Sequence, residues 1–185
     1  MRTLIAWVFF YSLDGLLAEE GTDFWDARFP LPFEPDHLQE QIDLYSSADL
    51  HLMGRSAYEG MSANLPGSDH PFSGFMDAAP KVVFSRTMGG AGWANTTVVS
   101  GDTAEEVRRL REGGDGHVIV WGGVRLWRSL LELDLIDELH VDLHPYVSGK
   151  GPRLFDGDPA NYALELVGST PYANGTVNLH YRRPR

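Results

Sequence analysis

The sequence predicts an α/β sandwich built on a central, mostly parallel sheet, with antiparallel strands at its C-terminal end. Three observations lead there. Short β-branched and apolar runs alternate with helix-period segments through the first two thirds of the chain. Most of those runs hand over to glycine or to a helix-capping residue, and the last two periodic segments alternate as strands with no helix between them.

The elements follow in order. Thr3 to Tyr11 reads as a first core strand, and Asp14-Gly15 is a turn signal directly after it. Its apolar run is too short to span a membrane and lacks a small-residue cleavage site, so it is read as strand and not as a leader. Glu20 to Pro35 mixes aromatics, acids, glycine and three prolines, which predicts loop with at most short helical turns. The aromatics Phe24, Trp25, Phe29 and Phe33 in it either fold over the core or line a pocket.

Asp36 is placed to cap a helix carrying Leu38, Ile42 and Tyr45 at helical spacing. Leu50 to Met53 is a strand ending at Gly54-Arg55, and Ser56-x-x-Glu59 has the form of a capping box opening the next helix. Asn64 to Pro71 is loop, Lys81 to Ser85 is strand, and Gly89, Gly90 and Gly92 form a surface turn. Val98-Val99 is a short strand. Asp102 or Thr103 opens a helix stopped by Gly113-Gly114, and His117 to Trp121 is the strand before Gly122-Gly123. Val124 to Leu131 is helix, and Leu139 to Leu143, Ala163 to Val167 and Val177 to Tyr181 are the late strands.

At 185 residues the chain has room for one substantial core and is read as a single domain over residues 1–185. With 43% apolar and 22% charged residues it is ordinary for a folded protein. The absence of cysteine excludes disulfides, Cys-ligated metals and a thiolate nucleophile. A formal net charge of -11 argues against nucleic acid, and no segment argues for a membrane. The basic tail Arg182, Arg183 and Arg185 reads as solvated. The expected compartment is the cytoplasm.

Ligands in an open α/β sheet sit beyond the carboxyl ends of the strands, where helix N-termini point. Three such ends carry unusual residues: Gly54-Arg55-Ser56, Ser85-Arg86-Thr87 and Gly122-Gly123. The two glycines are either a tight turn or a surface that a diphosphate approaches; they are neither a Rossmann fingerprint nor a Walker motif. Arg55 and Arg86 each stand beside a hydroxyl residue, a pairing that can hold phosphate. Asp14, in SLDG, is a proton handler, a substrate anchor or a turn-forming aspartate. His140, Asp142 and His144 alternate along one strand and offer metal-ligand types, but same-face neighbours lie roughly 7 Å apart, too wide for three to meet one ion. No metal is expected, and the absence of a G-x-S-x-G elbow argues against Ser-His-Asp catalysis.

Taken together, SLDG from Ser12, LMGRSAYEGM from Leu52, VVFSR from Val82, VIVWGGVRLWRSLL from Val118 and LIDELHVDLHPYVSGKGPRLF from Leu135 resemble the dihydrofolate reductase superfamily. The resemblance is to the branch holding the reductase domain of bacterial riboflavin biosynthesis and its stand-alone relatives. It implies a dihydrofolate reductase-like three-layer sandwich that binds NADPH and passes hydride to a small heterocyclic or carbonyl-like substrate. It also implies a homodimer with the C-terminal strands near the contact. Carried over, Gly54, Arg55 and Ser56 would hold phosphate, Ser85 and Arg86 would lie by the adenosine end with Arg86 on the 2'-phosphate, and Gly122, Gly123 and Val124 would line the diphosphate. Ala6 and Trp7 match the backbone that holds the carboxamide, and Asp14 lies near the substrate mouth as the candidate catalytic residue. Asp26, Glu34 and Asp36 compete for the place of the pterin-binding acid with no motif to select one, which argues against folate reduction. The zinc motif of the fused deaminase is absent, and Trp7 is bulkier than its counterparts. A nucleotide-binding protein that keeps the fold without catalysis is the competing class.

Overall fold

The computed structural model describes residues 1–28, 34–156 and 163–184. The elements run β1 (Thr3–Ser12), α1 (Asp23–Arg28), α2 (Pro35–Ser46), β2 (Leu50–Gly54), α3 (Arg55–Asn64), α4 (Ser73–Ala78), β3 (Lys81–Phe84), β4 (Thr96–Val99), α5 (Thr103–Glu112), β5 (His117–Val120), α6 (Val124–Glu132), β6 (Glu138–His144), β7 (Glu165–Pro171) and β8 (Val177–Arg182). The strands form one eight-stranded sheet in the order β4-β3-β2-β5-β1-β6-β8-β7. All pairings from β4 to β6 are parallel, and β8 runs antiparallel to both β6 and β7. The predicted sheet, with its antiparallel C-terminal strands, is therefore present.

Alternation along β1 separates the two faces. Leu4, Ala6 and Val8 pack with Ala104 and Val107 of α5 and with Leu126, Trp127, Leu130 and Leu131 of α6. Ile5 and Trp7 pack on the other side with Tyr45 of α2, Tyr58 of α3, Met76 of α4 and Trp121. Helices on both faces give three layers, and they explain why the central strands read as unbroken apolar runs: Leu52, Val118 and Val120 are fully buried. Each such side chain contributes about 1.5–3 kcal/mol of burial.

Several local expectations need correction. Asp36 does not cap α2: the N-cap is Glu34, and Pro35 takes the first helical position, where its missing N–H costs nothing. Asp36 lies within the first turn. The Ser56/Glu59 capping box does not form either, because Gly54 is the N-cap of α3 and Glu59 pairs with Arg55 at 2.7 Å. Asp102 does cap α5, accepting from the Glu105 N–H. α4, only six residues long, had no sequence signal long enough to show a period. It forms under Lys81, which is buried and donates to the carbonyls of Met76 and Ala79 with its ammonium 4.6 Å from the Trp93 ring centroid. Burial lowers the Lys81 pKa.

Of the aromatic loop, the described residues Phe24 and Trp25 fold over the end of the core. Phe24 is fully buried and stacks on Tyr146 at 4.9 Å, while Trp25 meets Phe10 edge-on at 5.8 Å. Phe29 and Phe33, like Arg185, lie outside the described residues. At the far edge of the sheet, β7 is exposed along its whole length, Leu166 and Val167 included. None of the described helices is long and apolar enough to cross a membrane.

Candidate active site

The site is made where two neighbouring strands part. β1 pairs with β5 only from Thr3↔His117 to Ala6↔Val120, while β1 continues beside β6 as far as Ser12. Beyond Val120 the chain stays with β2: Trp121 N–H donates to the Leu52 carbonyl at 2.9 Å, and Gly54 N–H donates to the Gly122 carbonyl at 2.8 Å. The β1–β5 pairing therefore ends between Ala6-Trp7 and Trp121 to Gly123, at the carboxyl ends of parallel strands.

The glycines at this parting are required by space and by backbone conformation. Gly122 and Gly123 have φ of 98° and 64°, a region that favours glycine. A Cβ on Gly123 would meet Ser56 Oγ at 3.2 Å, and one on Gly54 would meet the Gly122 carbonyl at 3.4 Å. Gly54-Ser56 and Gly122-Gly123 thus converge from separate parts of the chain. Gly54 and Gly123 are the N-caps of α3 and α6, so two helix starts open side by side, neither covered by a side-chain cap. Their unpaired first-turn N–H groups and partial positive charge suit a phosphate chain.

Arg55 reaches from the start of α3 to Thr87 Oγ1 at 2.8 Å, tying this cradle to the loop after β3. In that loop Ser85 Oγ accepts from the N–H groups of Thr87 and Met88 at 3.3 and 3.2 Å. Arg86 is exposed, and among the described residues no carboxylate pairs with it. The structure brings Gly54, Arg55, Ser56, Gly122, Gly123 and Val124 together, and it sets Ser85-Arg86 next to them through Arg55.

Asp14 lies apart from this group and does other work. Its carboxylate accepts from Ser12 Oγ at 2.6 Å and from the N–H groups of Ser148 and Gly149 at 2.9 and 2.7 Å. The Ser12 hydroxyl and the two backbone donors hold its pKa at about 2. The turn reading of SLDG therefore applies, and a group ionised so far below neutrality is a poor proton donor.

A polar cluster on the α2 face was not anticipated as a unit. Asp142, 1% exposed, accepts from Trp7 Nε1 at 2.8 Å and Asn178 Nδ2 at 2.7 Å, and its Oδ2 lies 3.1 Å from His37 Nε2. His37 sits between Trp7 and Tyr172, stacked on the latter at 4.3 Å, with Gln41 Nε2 at 3.1 Å. His37, Gln41 and Tyr45 recur every fourth residue on α2, so they share one face; Gln41 Oε1 and the Tyr45 hydroxyl are buried with no hydrogen-bond partner among the described residues. Burial and the nearby Asp142 raise the Tyr45 pKa, which keeps its hydroxyl protonated. The Trp7 indole belongs to this face and not to the helix starts of α3 and α6. Two polar side chains on an otherwise apolar helix stripe were the sequence signal that went unused.

The same bonds dissolve the H-x-D-x-H pattern as a ligand set. Asp142 is committed as described, and His144 faces the Phe9 carbonyl and Thr176 Oγ1 at 2.9 and 3.2 Å. Of the three competing acids, Asp26 and Asp36 are exposed on α1 and α2, and Glu34 is the N-cap residue.

An α/β sheet that parts at two glycine-lined helix starts defines a protein of dihydrofolate reductase-like fold. The model of the RibD C-terminal domain family matches residues 3–178, and the chain belongs to that family. The uncharacterized Bacillus subtilis protein YyaP is 25% identical over 144 residues, which span 75% of this chain and 76% of that protein. A Shewanella sp. PV-4 protein with a proposed role in riboflavin biosynthesis has a TM-score of 0.79 at 23% identity, with 100% of both chains covered. Dihydrofolate reductase from Enterococcus faecalis, in complex with NADP(H), has a TM-score of 0.64 at 16% identity, covering 99% of this chain and 97% of that one. These likenesses to solved structures establish the shared fold.

Proposed function

We propose that this chain is a cytoplasmic NADPH-dependent reductase acting on a small heterocycle with a reducible C=N or C=O carbon, of the kind represented by 5-amino-6-(5-phosphoribosylamino)uracil. The observation that carries the reading is the convergence of Gly54-Ser56 with Gly122-Gly123 at two adjacent helix starts, beside the parting of β1 and β5. Membership of the RibD C-terminal domain family supports it.

In this reading the first-turn N–H groups of α6 and α3 hold the diphosphate, with Arg55 on the same rim. Arg86, exposed and without a carboxylate partner among the described residues, would take the 2'-phosphate. Backbone groups at Ala6 and Trp7 would hold the carboxamide. When bound, the reduced nicotinamide supplies a hydride to the electrophilic carbon. The substrate nitrogen or oxygen then needs a proton.

His37 is the group we assign to deliver it, held by Asp142 behind it and by Tyr172 stacked alongside. Buried Trp7 and Tyr45 exclude water from that side and keep His37 in one orientation. The exposed β7 edge, with Leu166 and Val167, supports a homodimer formed through the C-terminal strands.

The test is a fluorescence titration of the intact chain with NADPH and NADH, followed by a turnover screen of pyrimidine and other heterocyclic substrates. Saturable binding with preference for NADPH and oxidation of it by at least one such substrate is expected. Binding of neither cofactor sinks the proposal, and binding without turnover of any substrate returns the chain to the class of non-catalytic nucleotide-binding proteins.

A further inference from the structure

Three same-face residues along one strand spread too far to meet one ion, but a residue directly opposite on the neighbouring strand comes close: facing Cβ atoms are about 5 Å apart. β6 and β8 pair in the register His140↔His180, with Glu138 two residues back from His140 on the same face. One ring nitrogen of each histidine and one carboxylate oxygen of Glu138 all lie within 4.8 Å of one another. We propose that Glu138, His140 and His180 bind a divalent zinc-like cation on the outer part of the sheet, a site distinct from the parting of β1 and β5.

The donor set has the right chemistry. Two imidazoles and a carboxylate suit zinc, nickel or copper in preference to magnesium or calcium, and three protein ligands leave a fourth position open. His180 Nε2 and Glu138 Oε2 already point at each other across 3.0 Å, so an ion entering between them replaces a contact without pulling in a distant group. The two imidazoles stack with centroids 4.0 Å apart and 17° between planes. Closing on one ion requires their rings to splay, a rotation about soft terminal torsions.

A supporting contact fixes which nitrogen of His140 is available. Asn178 gives its Nδ2 to Asp142, so its Oδ1, 3.3 Å from His140 Nδ1, must accept. Nδ1 therefore carries the proton and Nε2 the lone pair, the arrangement in which an outer partner orients a metal-ligating histidine. Glu138 and His180 retain about a third and a quarter of their side-chain exposure, which leaves an entry path. The net charge of -11 favours cation approach.

The test uses the intact chain after chelator treatment and buffer exchange. Titration with Zn²⁺ against a competing indicator is expected to show one equivalent bound per chain, weakened at least about tenfold by His180→Ala and by Glu138→Gln. Zn²⁺ should raise the Tm of the parent protein and leave that of His180→Ala unmoved, since only a cation bound to the native site stabilises it. Cu²⁺ should quench tryptophan fluorescence in the parent and much less in His180→Ala, because Trp7 stacks on His140 at 4.4 Å. His180→Ala and Glu138→Gln alter partly exposed positions, and circular dichroism checks that both fold. No saturable Zn²⁺ binding, or binding equally tight in both variants, overturns the site.

Discussion

A Cβ on Gly122 would fall 2.5 Å from Cζ2 of Trp127, whose indole N–H donates to the Val120 carbonyl at 3.2 Å. The first helix after β5 thus leans its largest side chain into the space a methyl group would need. Gly122→Ala adds that overlap to a φ of 98°. It is expected to cost roughly 2–4 kcal/mol, read from the denaturant midpoint at constant m. A loss under about 0.5 kcal/mol would show that the turn repacks freely.

Gly123→Ala should separate stability from binding. Its Cβ meets the Ser56 hydroxyl at 3.2 Å and the Gly54 Cα at 4.0 Å, and the strain is that of φ 64°, worth about 1–2 kcal/mol. The methyl would stand in the cradle between the two helix starts. NADPH affinity, measured by fluorescence titration, should fall by more than stability does; equal NADPH binding would remove this glycine from the site.

Arg86→Ala should weaken NADPH by about tenfold or more and leave NADH nearly unchanged, since a charge-assisted contact to phosphate is worth about 1.5–3 kcal/mol. Parallel losses for both cofactors would place this arginine away from the 2'-phosphate.

Asp142→Ala leaves Trp7 Nε1, Asn178 Nδ2 and His37 facing a void, in a place that is 1% exposed. A destabilisation of about 3–5 kcal/mol is expected in thermal or denaturant melts. His37→Gln tests the chemistry instead: it should lower turnover while leaving NADPH binding intact, and unchanged turnover would return the proton role to another group.

Two groups set acid sensitivities of the same sign in different pH windows. The Asp14 pKa is lowered to about 2 from 3.8, so the unfolded chain takes up its proton first. Its stabilisation is complete above about pH 4 and disappears as pH falls to about 2; Asp14→Asn should flatten the Tm profile in that window alone. Burial, with Lys81 and His117 adding to it, lowers the His51 pKa from 6.5 to about 3, so its contribution is complete above pH 6.5 and is lost on the way down to about pH 3. His51→Asn keeps an acceptor for the Trp121 indole, which His51 Nδ1 meets at 2.7 Å, and should remove that part of the slope. Identical pH profiles for parent and variant would exclude either residue as the source.

The sheet was legible because its strands announce themselves locally, and each predicted strand is present, with ends shifted by at most two residues except that β7 runs on to Pro171, four residues past the expected end. Helix starts were less so. Pro35 and Gly54 outcompeted Asp36 and Ser56 as determinants of where α2 and α3 begin. The cradle was legible as three separate strand ends, and only the pairing of β2 with both β5 and β3 joins them. The cluster around Asp142 was not legible, because it joins β1, α2, β6 and β8 across 135 residues of chain between Trp7 and Asp142. The pairing of His140 with His180 was hidden for the same reason, since the H-x-D-x-H pattern shows what lies along one strand and not what stands opposite on the next.

The strand β1 has a small side, Ala6 toward α6, and a large side, Trp7 toward α2. Sliding it by one residue would exchange the two, filling the α6 side with an indole and emptying the α2 side. Apolar packing alone tolerates such slips poorly but does not count residues. The Trp7–Asp142 bond does: an indole N–H reaches a buried carboxylate in one alignment only, so this contact works as a ruler that keeps two chemically different rooms on their proper sides of one strand.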